Sequence, residues 1–396
     1  MRILVITYSR EVNPGTFLQA YAVQSALKKI FPNATIELLK HERLYSFTGV
    51  KKDGIAGGTG RKSKRNLTWL KSKILALPRR LKYEYANIRH FRFTSQTFSL
   101  FDYDKAKWSS FVKKYDLIVT GSDTILTDLK VNEKYGIMWL LGIDGPSKIL
   151  FAASAAPANY AADILESEKR MLCQSFMTYD FLGVRDKLTY DVFSNLLGLG
   201  EMVQYQMDPT YLLPIDFFSL PWLAKRKMRS VKKKEKIALV NFGADFSFKK
   251  VVVEYVKSLG YFVISTVYNP WADKNFMTFS PFQWAGMYEY VDLTVTERFH
   301  DSVFTLMRNK LVVAIDWEQA RFNESGLSKT NNLLLQYSLE MFHCIVKDEN
   351  DLQCAKEKIK IAASLDLTSE LRTKNDCIKK TYQEQIKLIE KKIKKN

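Results

Sequence analysis

The sequence lacks several features that would place it in a specialised class of protein. Its four cysteines form no CxxC pair, so they indicate free thiols in a reducing compartment rather than a disulfide framework or a zinc site. No run of about 18 apolar residues is present, so no transmembrane helix is expected. The opening segment MRILVITYSR has no small-residue cleavage site and predicts a first strand rather than a signal peptide. We therefore expect a cytoplasmic protein.

Acidic residues are few relative to basic ones, and the basic excess is clustered. The chain of 396 residues carries 60 Lys and Arg against 42 Asp and Glu, which gives a formal net charge of +18. Thirteen basic and two acidic residues lie between positions 50 and 92. Such an excess indicates an anionic partner, either a phosphorylated substrate, nucleic acid or an anionic membrane surface. No recognised nucleic-acid module accompanies the charge, so we expect no nucleic-acid partner.

Hydrophobic periodicity predicts an α/β chain with two domains. An apolar run at 2–8, a helical pattern and a second apolar run at 34–40 begin a parallel, doubly wound sheet. Similar βα units restart at position 236. The predicted parts are an N-terminal domain at 1–214 with a basic helical insertion at 44–112, a basic connector at 215–235, a C-terminal domain at 236–346 and a lysine-rich helical tail at 347–396. Two such domains predict an interdomain cleft.

Polar residues follow the predicted strands, at the end where open parallel sheets bind ligands. In the first domain these residues are Asn13, Thr16, Ser122, Asp123, Ser154, Arg185 and Asp208. In the second domain Glu297, Arg298 and His300 follow the strand pattern LTVT. We expect these side chains to converge on one cleft.

The segment TERFHDS (296–302) places four ionisable side chains where a strand pattern changes to a helix pattern. An arginine fork binds phosphate or carboxylate through two hydrogen bonds, and a helix N-terminus favours an anion. Histidine exchanges a proton near neutral pH. Arg298 and His300 therefore predict a site that holds an anionic substrate beside a proton donor.

Purely structural roles are alternatives for each of these residues. Arg298 could pair with Glu297 or Asp301, and His300 could be a satisfied structural histidine. In the first domain, Asp123 could be only a helix cap and Asp208 could belong to a turn. Arg185 and Asp186 could form a surface ion pair. The loop NPGT is a weak phosphate signal, because it has neither GxGxxG nor the P-loop lysine.

The ordered set of motifs resembles the polysaccharide pyruvyl transferase family. The matching pieces are NPGTFLQAYAVQSAL, YDLIVTGSD, ILFAASAAP, FLGVRDKLTYD, MDPTYLL and VTERFHDSVFTLMRNKLVVAID, which span roughly residues 1–40 and 112–340. Arg298-Phe299-His300 matches the family's Arg-Leu-His motif with Phe in place of Leu. Asp301 stands where glycine is common in relatives.

This resemblance implies two Rossmann-like domains in a GT-B-like arrangement. It also implies transfer of pyruvate from phosphoenolpyruvate onto a sugar of an exopolysaccharide or capsule precursor, with ketal formation, release of phosphate and no cofactor or metal ion. On chemical grounds the candidate catalytic residues are His300, as the acid–base, and Asp123, which would orient or deprotonate the acceptor hydroxyl. The candidate phosphoenolpyruvate ligands are Arg185, Arg298, Phe299 and Ser122, with Asp208, Glu297, Thr16 and Asn13 in support.

The partners expected beside phosphoenolpyruvate are a saccharide acceptor, including a lipid-linked one, and the anionic inner face of the plasma membrane. The membrane contact is predicted for the basic segments 61–92 and 378–396, with a solvated basic face as the alternative. One rival function is a GT-B glycosyltransferase that uses a nucleotide sugar, although no ribose-binding pair of acidic residues is evident. The other is a non-enzymatic glycan-binding or nucleic-acid-binding protein.

Overall fold

The computed structural model describes residues 1–41, 67–98, 104–126, 140, 142–155, 164–318 and 327–394. The chain divides into two compact units. The first unit comprises Met1–Leu212 together with Thr381–Asn396, and the second comprises Leu213–Lys380. Each unit contains one parallel sheet with helices packed against it, so the predicted α/β class is confirmed.

The first unit is built on a parallel sheet in the order β3-β2-β1-β4-β5-β6-β7. Its strands are β1 (Arg2–Ile6), β2 (Thr35–His41), β3 (Phe93–Phe98), β4 (Leu117–Thr120), β5 (Ser147–Ala153), β6 (Phe181–Val184) and β7 (Val203–Tyr205). The described helices are α1 (Pro14–Ile30), α2 (Leu67–His90), α3 (Lys105–Val112), α4 (Glu166–Met177) and α5 (Lys187–Asp191). Strand β1 after Arg2 and all of β4 are buried and mostly apolar, as strands covered on both faces should be. The strand order reverses between them, which makes this the switch point of the sheet.

The predicted insertion at 44–112 is in part a regular βα unit of this sheet. Strand β3 pairs in parallel with β2 at the sheet edge, and α2 precedes it. We expected residues 44–112 to interrupt the alternation of strands and helices, and this is corrected for 67–98 and 104–112. Residues 44–66 and 99–103 lie outside the described residues. Four of the six residues in FTSQTF of β3 are polar, because an edge strand is only partly covered. Helix α2 is assigned as one helix that contains Pro78.

The second unit repeats the same plan, with a parallel sheet in the order β10-β9-β8-β11-β12-β13. Its strands are β8 (Lys236–Asn241), β9 (Tyr261–Ser265), β10 (Lys274–Asn275), β11 (Leu293–Thr296), β12 (Leu311–Asp316) and β13 (His343–Ile345). Its described helices are α6 (Trp222–Lys232), α7 (Lys249–Ser258), α8 (Pro281–Met287), α9 (Phe299–Met307), α10 (Lys329–Gln336), α11 (Glu349–Ser364) and the start of α12 (Thr368–Ile393). The switch point of this sheet lies between β8 and β11.

The end of α12 belongs to the core of the first unit. Tyr382, Ile389 and Ile393 are buried, and they recur at helical spacing on one face. The side-chain amide of Gln385 donates to the carbonyl of Tyr205 at 2.7 Å. The lysine-rich tail therefore turns its apolar stripe into the protein and leaves its lysines outside.

Replacing Ile389 with alanine should lower the free energy of unfolding by about 2–5 kcal/mol, because a fully buried aliphatic side chain is lost. The matched control is Lys391→Ala, which changes an exposed residue of the same helix and should stay within about 0.5 kcal/mol of the wild type. Urea denaturation followed by circular dichroism measures both. Equal denaturation midpoints for the two variants would show that the tail is not part of the core.

Candidate active site

The first candidate cluster lies at the switch point of the N-terminal sheet. The side-chain oxygen of Asn13 accepts the backbone N–H groups of Gly15 and Thr16, at 3.0 and 3.5 Å, and so caps α1. The hydroxyl of Thr16 donates to Oδ2 of Asp123 at 3.1 Å. The start of α1, which follows β1, therefore meets the turn after β4 at Asp123. This agrees with the prediction that polar side chains after these strands lie close together.

A strained turn fixes Asp123 at the end of β4. Gly121 has a φ of +117°, and a Cβ there would lie 2.2 Å from the carbonyl oxygen of Phe151, so only glycine fits. Asp123 itself has a φ of +79°, in the left-handed region. Ser122 between them is fully buried, and its carbonyl oxygen accepts the hydroxyl of Thr7 at 3.1 Å. The backbone conformation of this turn therefore helps to position the Asp123 carboxylate, in addition to its side-chain contacts.

Arg185, which follows β6, is buried between two carboxylates. Its guanidinium lies 2.8 Å from Asp208 and 3.5 Å from Asp123. Asp208 also accepts the amide of Gln19 and both the N–H and the hydroxyl of Thr210. The surface-pair alternative for Arg185 is excluded by its burial. One guanidinium faces two carboxylates, so the charge of Arg185 is already offset.

The second candidate cluster lies at the switch point of the C-terminal sheet. Arg298 is the N-cap residue of α9, and its backbone N–H donates to the hydroxyl of Thr296 at 3.0 Å. Among the residues that the structure describes, no carboxylate lies within ion-pair distance of the Arg298 guanidinium. His300 lies in the first turn of the helix, with the Phe299 ring edge-on at 5.2 Å between centroids. The motif thus places a cation and an imidazole at one helix N-terminus.

Asp301 has a structural role in the same turn. It is buried and accepts hydrogen bonds from Asn241 at 2.8 Å, Thr296 at 2.9 Å and Tyr288 at 2.7 Å. These donors are all neutral, and together they join α9 to strands β8 and β11 and to Tyr288, which follows α8. The alternative that Asp301 pairs with Arg298 is therefore not what the structure shows.

Glu297 is also held by neutral donors. Its Oε1 accepts the backbone N–H of Gly243 at 2.7 Å, and its Oε2 accepts the indole N–H of Trp317. Gly243 lies in the loop after β8, so this contact ties that loop to the loop after β11. Through these two hydrogen bonds Glu297 fixes the backbone geometry on either side of the Arg298 junction.

Four residues near the two clusters were not predicted from the sequence: Gln19, Thr210, Lys249 and Tyr382. Tyr382 on α12 donates its hydroxyl to the carbonyl of Met207 at 3.0 Å and stacks on Phe151. Burial raises the pKa of the Tyr382 hydroxyl well above its usual value. Only Thr210 carried a local signal, the two-residue spacing from Asp208 that is typical of an Asx turn. The other three come from distant segments that the fold brings together.

The family model described as polysaccharide pyruvyl transferase matches residues 13–319, a span that begins at the first cluster and ends beyond the second. The chain belongs to the polysaccharide pyruvyl transferase family. The matched span contains every predicted site residue, but it stops before α10, α11 and α12. No curated protein sequence matches this pyruvyl transferase family member significantly.

Solved structures share the fold of this pyruvyl transferase family member. S. aureus MnaA, in its co-structure with UDP, is 10% identical with a TM-score of 0.50, and the match covers 93% of this chain and 90% of that one. A putative UDP-N-acetylglucosamine 2-epimerase from Listeria monocytogenes is 8% identical with a TM-score of 0.51, over 93% and 90% of the two chains. At such identities the likeness concerns the fold alone. It is the GT-B type, with two Rossmann-like domains.

Changing Asp208 to asparagine should lower the free energy of unfolding by about 3 kcal/mol, because it removes a buried partner of Arg185. The matched control is Asp191→Asn, which breaks the exposed i,i+4 pair with Lys187 and should cost less than about 0.5 kcal/mol. Chemical denaturation compares the two variants with the wild type. A loss for Asp208→Asn no larger than that of the control would contradict the buried-pair account.

Proposed function

We propose that the protein transfers pyruvate from phosphoenolpyruvate onto a sugar hydroxyl pair of a polysaccharide precursor, forming a ketal and releasing phosphate. The observation that carries this proposal is the Arg298 guanidinium, which has no carboxylate partner among the described residues and lies at a helix N-terminus beside His300. Membership of the polysaccharide pyruvyl transferase family supports the transferase class.

The donor suits this cluster on electrostatic grounds. Phosphoenolpyruvate carries about three negative charges near neutrality, since the second ionisation of phosphate lies near pH 6. A guanidinium can hold its carboxylate or phosphate through two parallel hydrogen bonds. The N-terminus of α9 adds backbone N–H groups that point towards an anion. A glycan acceptor by itself would have no comparable need for an unpaired arginine.

In the proposed reaction His300 protonates the methylene carbon of phosphoenolpyruvate, which leaves an oxocarbenium-like centre at the adjacent carbon. One sugar hydroxyl attacks that centre, and the bond to phosphate breaks. A second hydroxyl of the acceptor then closes the ketal ring. One hydroxyl proton restores His300 and the other leaves with phosphate, so the reaction balances without a cofactor.

In the N-terminal unit, Asp123 is the proposed group that orients or deprotonates an acceptor hydroxyl. Its side chain is 15% exposed, which leaves it accessible while Thr16 and Arg185 hold it. The prediction that Arg185 binds phosphoenolpyruvate is untested, and an anion there would compete with the two carboxylates already beside it. In our proposal Arg185 and Asp208 therefore support Asp123 instead of binding the donor.

The protein should release phosphate from phosphoenolpyruvate only when a suitable acceptor is present, and the acceptor should gain the mass of a pyruvate ketal. A panel of β-galactoside and N-acetylmannosamine acceptors, assayed by phosphate release and mass spectrometry, measures this. If UDP or a UDP-sugar raises the melting temperature while phosphoenolpyruvate neither binds nor reacts, the nucleotide-sugar glycosyltransferase is the correct function.

Two variants test the assigned roles. His300→Ala should lower kcat by about 10²–10⁴-fold while phosphoenolpyruvate still binds, because a proton donor is lost. Arg298→Lys should mainly weaken binding, because lysine cannot reproduce the fork. Arg226→Lys, at an exposed position of α6, is the matched control and should behave as wild type. An active His300→Ala enzyme would remove the acid–base assignment.

We also propose that α2 contacts an anionic membrane surface, where lipid-linked acceptors would be found. Leu81, Tyr85 and Ile88 share one face of α2 and are 58%, 62% and 79% exposed. The opposite face buries Tyr83 and Ala86. Basic residues of the same helix flank the exposed stripe: Arg80, Lys82 and Arg89. A helix with an outward apolar stripe bordered by cations is typical of surface binding to anionic lipid.

The other predicted membrane segment, 378–396, presents only basic side chains to a membrane, because its apolar stripe is buried in the first unit. Residues 61–66 of the first segment lie outside the described residues. Within the described ranges, the structure contains no helix that could cross a membrane. Contact at the bilayer surface through α2 is thus the form of membrane association that we propose.

Sedimentation with lipid vesicles tests this contact. The protein should pellet with phosphatidylglycerol vesicles, release at high salt, and stay in solution with phosphatidylcholine vesicles. The triple change Leu81→Ser, Tyr85→Ser and Ile88→Ser should abolish pelleting, whereas Leu165→Ser at another exposed position should not. Equal binding to both lipids, or binding by the triple variant, would identify the stripe as a solvated face or a protein contact instead.

A further inference from the structure

Lys249 is a buried lysine at the switch point of the C-terminal sheet. It is the first residue of α7, which follows the loop after β8, and it is 4% exposed. Within the described part of the chain, its ammonium makes no hydrogen bond and no ion pair. The next residue, Lys250, is exposed and pairs with Glu254 at 3.6 Å. The two adjacent lysines therefore have opposite environments.

The loop that carries Lys249 is tied to the loop that carries Arg298. Glu297 makes this connection by accepting the backbone N–H of Gly243 at 2.7 Å. Lys249 is close enough to Glu297 and Arg298 to interact electrostatically with both. Burial lowers the pKa of the Lys249 ammonium, although the carboxylates of Glu297 and Asp245 oppose that shift. Lys249 and Arg298 thus lie near each other, and Glu297, the first of these carboxylates, is already held by neutral donors.

An ammonium on a largely buried side chain loses part of its hydration, and a nearby guanidinium adds repulsion. A bound anion would remove both penalties at once, because it supplies acceptor oxygens and opposite charge. The position also favours an anion, since α7 and α9 both begin there and the sheet reverses its strand order between their strands.

We propose that Lys249 and Arg298 together form a binding site for a small phosphate-bearing anion, in which Lys249 binds the phosphoryl group. An ammonium is a compact point charge that suits phosphate oxygens, and the planar fork of Arg298 suits a carboxylate or a second phosphate edge. This inference rests on the proposed function in one respect. With that function, the bound anion is phosphoenolpyruvate, and Lys249 stabilises the phosphate as it departs.

The test compares binding of phosphoenolpyruvate and of inorganic phosphate to the full chain by isothermal titration calorimetry. Lys249→Met should weaken both ligands at least tenfold, whereas the matched control Lys250→Met should leave both unchanged. Lys249→Arg keeps the charge and should retain most of the affinity. A melting curve without ligand should show Lys249→Met to be at least as stable as the wild type, because methionine fills a similar space and removes a charge from a largely buried side chain.

Each outcome separates the inference from the proposed function. If the wild type binds phosphoenolpyruvate and Lys249→Met binds it equally well, the role of Lys249 is wrong and the proposed function stands. If the wild type binds inorganic phosphate but not phosphoenolpyruvate, the anion site stands and the proposed donor is wrong. If Lys249→Met melts several degrees lower without ligand, Lys249 has a structural role and the inference fails; Lys249→Arg then shows whether charge or shape matters.

Discussion

Both units depend on one constraint, the reversal of strand order at a single point in each parallel sheet, between β1 and β4 and between β8 and β11. Connections from the two strands at such a point run to opposite faces, so their loops separate and expose strand ends and helix N-termini. Thr16 and Asp123 come from the two sides of the first reversal point, and Lys249 and Arg298 come from the two sides of the second. The chemistry that we propose for the protein follows from the side chains that lie at each reversal point.

The two clusters differ in how their cations are paired with carboxylates, and our assignment of roles follows this difference. In the N-terminal unit, Arg185 lies between Asp123 and Asp208, so the cluster has more negative than positive charge and suits hydroxyl groups. In the C-terminal unit, Arg298 and Lys249 have no carboxylate within ion-pair distance among the described residues. In our proposal the donor anion therefore binds at the second cluster, and the acceptor hydroxyls are handled at the first.

Continuous apolar runs were enough to predict the central strands, because strands covered on both faces need no polar positions. The placement of TERFHDS (296–302) at a strand-to-helix junction was also predictable, and the structure confirms it. The edge strand Phe93–Phe98 was missed because four of its six side chains are polar. Lys249 and Tyr382 were missed because a Lys-Lys pair and a lysine-rich tail look like surface, and only tertiary packing buries them.

The central claim is that the phosphate-bearing donor binds in the C-terminal unit. A crystal structure of the protein grown with phosphoenolpyruvate tests it most directly, because the phosphorus position can be seen in the density. The account predicts phosphate oxygens within hydrogen-bond distance of the Lys249 ammonium and an Arg298 fork on the same ligand, with His300 beside the methylene carbon. Phosphoenolpyruvate bound instead at Arg185, with Asp123 displaced from it, would contradict the account.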